Sequence, residues 1–131
     1  MKFPYFEVAP EIKRPIIPLV LMSQNRFILY SAIIDSGADY CVFSLDIAYA
    51  LGIKLYSEDK VKFQGIGEEK IEGYHSKIRI KIGEDSYESE IIFAEISDFG
   101  HGILGQKGFF DHFDVHLSYS REIIELKSGL N

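Results

Sequence analysis

The sequence predicts an all-β fold with one or two short helices, closed on itself like a small barrel, and three observations carry that prediction. Ile78, Ile80 and Ile82 alternate with Lys77, Arg79 and Lys81, which is the period of a half-buried strand. Short apolar runs recur between turn signals such as Ser23-Gln24-Asn25 and Gly83-Glu84-Asp85. Apolar residues make up 47% of the 131 residues and aromatics 14%, with no Trp, so Phe and Tyr supply the bulky core volume. A chain this long suits one domain, 1–131, that buries about two-thirds of its unfolded surface.

Taken in order, residues 1 to 15 are the least patterned. Ile16 to Met22 and Arg26 to Ile34 flank the Ser23-Gln24-Asn25 turn and read as the arms of a hairpin. Ser44 is placed to cap a short covering helix through Leu45, Ile47, Ala48 and Leu51, with Asp46 favourable in its first turn and Gly52 ending it. Val61 to Tyr74 is a strand, a turn bearing Gly65 and Gly67, and a returning strand. The Lys77–Ile82 strand turns back into another from Tyr87 to Ile96. Gln106 to His112 is expected to make one or two helical turns. Val115, Leu117 and Tyr119 then alternate, Ser120-Arg121 turns, and Ile123 to Leu126 is the last strand. No repeat, low-complexity tract or linker divides the chain.

Charge and composition exclude several partners. A net charge of −6 and a pI near 5.2 leave no Lys/Arg stripe to neutralise phosphates, so no nucleic-acid partner is expected. No apolar run approaches the roughly 20 residues that span a bilayer, and Ile16 to Met22 is broken by Pro18, so no membrane partner is expected. Met1 to Phe6 lacks a basic region followed by an apolar core, and no signal peptide is expected. The single Cys41 makes no internal disulfide, which fits a reducing cytoplasm. Nothing orients a base toward it, so it reads as a small buried residue.

Metal chemistry is not expected either. His112 and His116 would share one face of a helix, but Val115-His116-Leu117 reads as strand and turns His116 outward. His75 and His101 have no third ligand in view, and His101 reads as surface loop. Gly65-Ile66-Gly67 is no phosphate loop, because no helix bearing Lys-Ser/Thr follows it.

The chemically informative stretch is Ala32-Ile33-Ile34-Asp35-Ser36-Gly37-Ala38. A carboxylate at the end of an apolar strand costs several kcal/mol unless it is hydrogen-bonded, shares a proton or faces a water-filled cleft. On its own, Asp-Ser-Gly fits a strand-end turn as well as a site. A second segment, Gly102-Ile103-Leu104-Gly105 leading into Gln106 to Tyr119, shifts the balance. Together the two segments resemble the retropepsin-like aspartic proteases, in which an apolar strand ends in Asp-Thr/Ser-Gly-Ala and a later apolar-apolar-Gly element packs beside it. Asp35, Ser36, Gly37 and Ala38 match the first signature, and Ile103, Leu104 and Gly105 the second. The resemblance runs from about Ile16 to Leu126.

That resemblance implies a catalytic role for Asp35 and a bracing role for Ser36, Gly37 and Ala38. It also implies a flap at Gly65, Ile66 and Gly67 that closes over an extended peptide substrate. Asp39, where retroviral members often carry Asp, reads as structural, bonding a loop or an Arg. Asp35-Ser36-Gly37 occurs once in this chain, whereas the two-lobed enzymes carry two copies, so the resemblance implies a two-fold homodimer that uses no metal or cofactor. Two further readings stay open from sequence: a catalytically silent dimeric module that binds peptide or serves assembly, and a small β-barrel ligand carrier. The carrier leaves the paired signatures unexplained.

Overall fold

In the computed structural model, which describes residues 1–64 and 70–129, the apolar runs between turn residues form strands. They are β1 (Lys2–Pro4), β2 (Phe6–Ala9), β3 (Ile12–Arg14), β4 (Ile16–Ser23), β5 (Arg26–Ile34) and β6 (Val42–Ser44), then β7 (Lys60–Gln64), β8 (Lys70–Ile82), β9 (Asp85–Ala94), β10 (Gly102–Leu104), β11 (Phe113–Ser118) and β12 (Ile123–Ser128). The helix α1 (Leu45–Ala50) follows β6, and Ser57–Asp59 and Ser97–Phe99 are single 3-10 turns. Ser44 caps α1 as its sequence predicts, its hydroxyl accepting from the Asp46 N–H, and Gly52 leaves the helix at a left-handed φ of 69°.

The expected barrel is present. Strands lie in the order β4-β5-β10-β6-β9-β8, and β8 closes the ring by pairing with β4 over Val20↔Lys81, Leu21↔Ile80 and Met22↔Arg79. Closure removes the open edge that a curled sheet would otherwise expose. Pro18 sits on β4 ahead of that second pairing, where its missing N–H costs no ladder bond to β8. β7 pairs only with the first part of β8, so the β7–β8 hairpin projects from the ring.

Ile17, Leu19 and Leu21 on β4, Ile78, Ile80 and Ile82 on β8, and Phe43, Phe93, Leu104 and Phe109 fill the interior. The run Ile91-Ile92-Phe93-Ala94 is buried on both sides of β9. Ile91 and Phe93 face this core, while Ile92 and Ala94 join Val42 and Ile96 in a second apolar cluster on the opposite face. That second cluster forms one side of the cleft described below.

Two expectations need correction. Gln106 to His112 is a series of turns and not helix: Phe110 N bonds Gly105 O and Asp111 N bonds Gln106 O, five residues back. Gly108 breaks any helix there with a φ of 99°, and Asp111 Oδ1 accepts its N–H. Residues 1 to 15, patternless in sequence, form three short strands. β1 adds to the edge of β12 in a sheet ordered β1-β12-β11, and the Met1 ammonium donates to Leu126 O at 2.7 Å. β2 and β3 pair only with each other.

Candidate active site

Asp35 stands one residue beyond β5, at the point where that strand runs parallel to β10 with Ile34 opposite Leu104. The Asp35 N–H continues the ladder by donating to Leu104 O at 2.9 Å, which fixes the residue's backbone. Its side chain is fixed as well, since Oδ1 accepts from Gly37 N at 2.9 Å in an Asx turn. Ala38 N donating to Asp35 O completes the turn. A Cβ on Gly37 would lie 3.2 Å from Asp35 Oδ1, so glycine keeps the space beside the carboxylate open.

The two signature segments interlock. Gln106 N donates to Ala38 O, Lys107 N to Asp39 O and Cys41 N to Lys107 O, and Tyr40 bridges Lys107 in parallel. The Gln106 side chain reaches Ser36 O at 2.7 Å. Gly105 is where the segments come closest: a Cβ there would run into Tyr40 O and lie 2.7 Å from Ala38 O. Beneath them Cys41 is fully buried, its sulfur receiving the Gly105 N–H, and burial pushes its thiol pKa up to about 12. The thiol is a packing group, as its apolar context predicts.

Asp35 opens onto a cleft of about 290 Å³. Gly37, Ala38 and Asp39 line it beside the carboxylate. Val42, Ile96 and Ile103 form the apolar wall, Phe99 stands at one side, and Phe63 and Ile71 enter from the β7–β8 hairpin, where they are direct cross-strand partners. Tyr40 completes the lining, with the Lys107 ammonium 5.1 Å above its ring and the His75 ring edge-on at 5.8 Å. The Asp35 carboxyl therefore sits, with Asp39 nearby, at the mouth of a largely apolar slot.

Asp35 and Gly37 are exposed at the cleft and Ala38 lines it half-buried, while Ser36 is exposed on the same loop outside the cleft lining. Ile103 faces the cleft while Leu104 and Gly105 are buried under the loop. Gly65, Ile66 and Gly67 lie outside the described residues, although both strands that lead to them are in place. Asp39 accepts the Lys107 N–H through its backbone carbonyl, and its side chain is exposed at the cleft. Sequence alone does not point to Tyr40, Val42, Phe63, Ile71, Ile96 or Phe99 as cleft residues. Phe63 and Ile71 had a signal, as apolar residues flanking the Gly-bearing turn, whereas Ile96 and Phe99 reach the cleft only through tertiary folding.

The histidines stand apart. His112 stacks on Tyr87 at 3.9 Å, His116 is exposed on β11, and His101 Nδ1 lies 3.0 Å from Gly102 O. Among the described residues no group of three His, Cys, Asp or Glu side chains is placed to hold a metal ion. No helix among them is long and apolar enough to cross a membrane.

Comparison with known proteins agrees with this geometry. Among solved structures the chain is similar to EIAV protease complexed with the inhibitor HBY-793, with a TM-score of 0.57 over 76% of this chain and 88% of that one. Identity is 20%, so the likeness speaks for the fold. No curated protein sequence matches. The family model for aspartyl proteases matches residues 28–107, a span that begins in the strand delivering Asp35 and ends just past Gly105. The chain belongs to the aspartyl protease family and has a retropepsin-like fold.

Proposed function

We propose that this protein is an aspartic endopeptidase whose active form is a two-fold homodimer, with one Asp35 from each copy forming the catalytic pair. The observation that carries the reading is the placement of Asp35. An interlocked backbone holds it, its Oδ1 is occupied by Gly37 N, and the rest of its carboxyl is free at the mouth of an apolar cleft. A lone carboxylate cannot act as acid and base in one step, and a second copy across a two-fold axis supplies the other.

Two carboxyl groups in contact cannot both ionise, so the pair shares one proton, as aspartic-protease dyads do. The ionised member takes a proton from a water held between them, and the oxygen of that water attacks the scissile carbonyl carbon. The protonated member gives its proton to the carbonyl oxygen, which yields a neutral tetrahedral diol. Collapse then breaks the C–N bond as a proton passes to the nitrogen, releasing amine and acid and restoring one proton to the pair.

The surrounding residues take supporting roles in this reading. Ser36 bonds across the dimer, and Gly37 and Ala38 keep the floor beneath the scissile bond small. Gly65-Ile66-Gly67 closes as a flap over the peptide. The substrate lies extended, pairing with strand edges and placing apolar side chains against Val42, Phe63 and Ile103.

The test is Asp35→Asn beside wild type in a peptide-library cleavage assay. Hydrolysis is expected to disappear while the thermal midpoint stays level or rises, because the substitution removes like charges that repel. Cleavage that survives in Asp35→Asn overturns the reading. Binding without cleavage by the wild type leaves a peptide-binding module in its place.

A further inference from the structure

The β2–β3 hairpin is mounted the wrong way round for a monomer. Phe6, Ile12 and Arg14 share one face and Glu7 and Lys13 the other, as the pairs Phe6↔Arg14 and Glu7↔Lys13 require. Lys13, from the charged face, is directed at the body of the protein and pairs with Glu122 in the β11–β12 turn. The apolar residues face solvent: Phe6 is 57% exposed, Ile12 49% and the bulged Val8 42%. An amphipathic ribbon normally buries its apolar side, and an isolated two-stranded hairpin is marginal in water.

The hairpin is also held in position. At its start Tyr5 N donates to Glu122 O, and the Tyr5 ring meets Tyr119 edge-on at 5.7 Å. At its end Pro15 O accepts from Ile34 N at 2.9 Å, one residue before Asp35. Its tip turns at Pro10-Glu11, with Glu11 at a left-handed φ of 66°, as at the third position of a type II turn. A defined apolar face is thus presented from the strand end that carries Asp35.

We infer that this face packs against a second copy of the chain, so that the β2–β3 hairpin is a dimerisation arm beside the two-fold axis. The inference rests on the Asp35 pairing proposed above. That pairing brings the partner to the end of β5, and the hairpin is joined to the same point through Pro15. A stable interface takes about 800 Å² from each partner, more than the three apolar side chains supply. The arm therefore extends a surface that already includes Ser36, Gly37 and Gln106, all exposed around Asp35. Charge fits a self-complementary contact as well. The exposed Glu11 is at the tip and the exposed Arg14 at the base, so two arms laid antiparallel across a two-fold set each Glu11 toward the partner's Arg14.

The test is the doubly substituted Val8→Ser/Ile12→Ser protein, studied by sedimentation across a dilution series with circular dichroism as the check on folding. Each substitution counts twice across a two-fold, and the dimer dissociation constant is expected to rise about a hundredfold while the spectrum of the folded chain is kept. Activity should fall with the dimer fraction and return at high protein concentration with an unchanged KM. An unchanged dissociation constant in a variant that still needs Asp35 overturns the arm and leaves the catalytic pair standing. An unchanged constant with a raised KM assigns the face to substrate and also overturns it. An active monomer overturns both. If the variant does not fold, hydrogen exchange on the wild type decides: protection of amides 6–14 that is lost on dilution supports the arm, and protection independent of concentration overturns it.

Discussion

Two antiparallel hairpins follow one another in this chain, β2–β3 and β4–β5, joined through Pro15, and they differ in what covers them. The second buries Ile17, Leu19 and Leu21 from one arm and Ala32 and Ile34 from the other, because β8 and β10 close around it. No residue of the first is fully buried. Both are amphipathic, so strand pairing does not decide where such a ribbon comes to rest. For β4–β5 the barrel decides it, and the outcome is a fixed position for Asp35. For β2–β3 the charged face docks on its own body through Lys13, and the apolar face is left exposed. Substitutions in the second hairpin should therefore be read out in folding, and substitutions in the first in assembly.

The largest effect is expected where the barrel is least forgiving. Gly105→Ala sets a methyl against Tyr40 O and Ala38 O, both backbone atoms, so relief requires pulling the two signature segments apart. A loss of at least about 3 kcal/mol in urea unfolding is expected, together with loss of peptide hydrolysis. Full stability in this variant would show that the segments do not interlock. Leu21→Ala, which empties a fully buried position on β4, should cost about 2–5 kcal/mol at any protein concentration. Phe6→Ala on β2 should move the unfolding of dilute monomer by no more than about 0.5 kcal/mol while weakening the dimer. Equal losses for Leu21→Ala and Phe6→Ala in dilute monomer would erase the contrast between the hairpins. Ser44→Ala, which removes one capping bond from a short helix, should cost about 1 kcal/mol or less.

What the sequence made legible follows the same division. The β4–β5 hairpin was visible as two apolar runs around the Ser23-Gln24-Asn25 turn, and β8 through the alternation of Ile78, Ile80 and Ile82, which bury one face in the barrel. The Asp35 loop was visible as a carboxylate at the end of an apolar strand, and Ile103-Leu104-Gly105 only through the resemblance of the two segments together to the retropepsin-like signatures. Gln106 to His112 reads as helix because its composition permits helix, whereas Gly108 at positive φ and turn bonds five residues back exclude it. Residues 1–15 carried no readable pattern because their strands are three or four residues long, too short for a period to register. Val42 and Ile96 look like ordinary apolar residues in sequence, and Phe99 belongs to a stretch that reads as loop. Only closure of the ring sets them along one wall of a cleft.

Cys41 gives the smallest effect at neutral pH and the finest probe of the barrel half of the comparison. Its thiol lies under Gly105, and burial raises its pKa from 9.0 to about 12, with the Gly105 N–H opposing and the Asp111 carboxylate adding to the rise. A group whose folded pKa lies above its unfolded one stabilises the fold fully below the unfolded value, and that contribution drains away as pH rises toward the folded value. The thiol should therefore cost the wild type up to about 1.4 kcal/mol per pH unit between pH 9 and 12, because the unfolded chain ionises first. Cys41→Ala is expected to be less stable than wild type at pH 8, where it loses packing and the weak N–H to sulfur bond. The gap should narrow as pH climbs through 9 and 10. Tyr87, also raised by burial, is common to both proteins and largely drops out of the difference. Urea midpoints at pH 8, 9 and 10 measure the gap, and one that stays constant would mean that the thiol is hydrated in the folded state. The Val8→Ser/Ile12→Ser arm variant should keep the wild-type slope, because ionisation of this thiol reports opening of the barrel and not release of the arm.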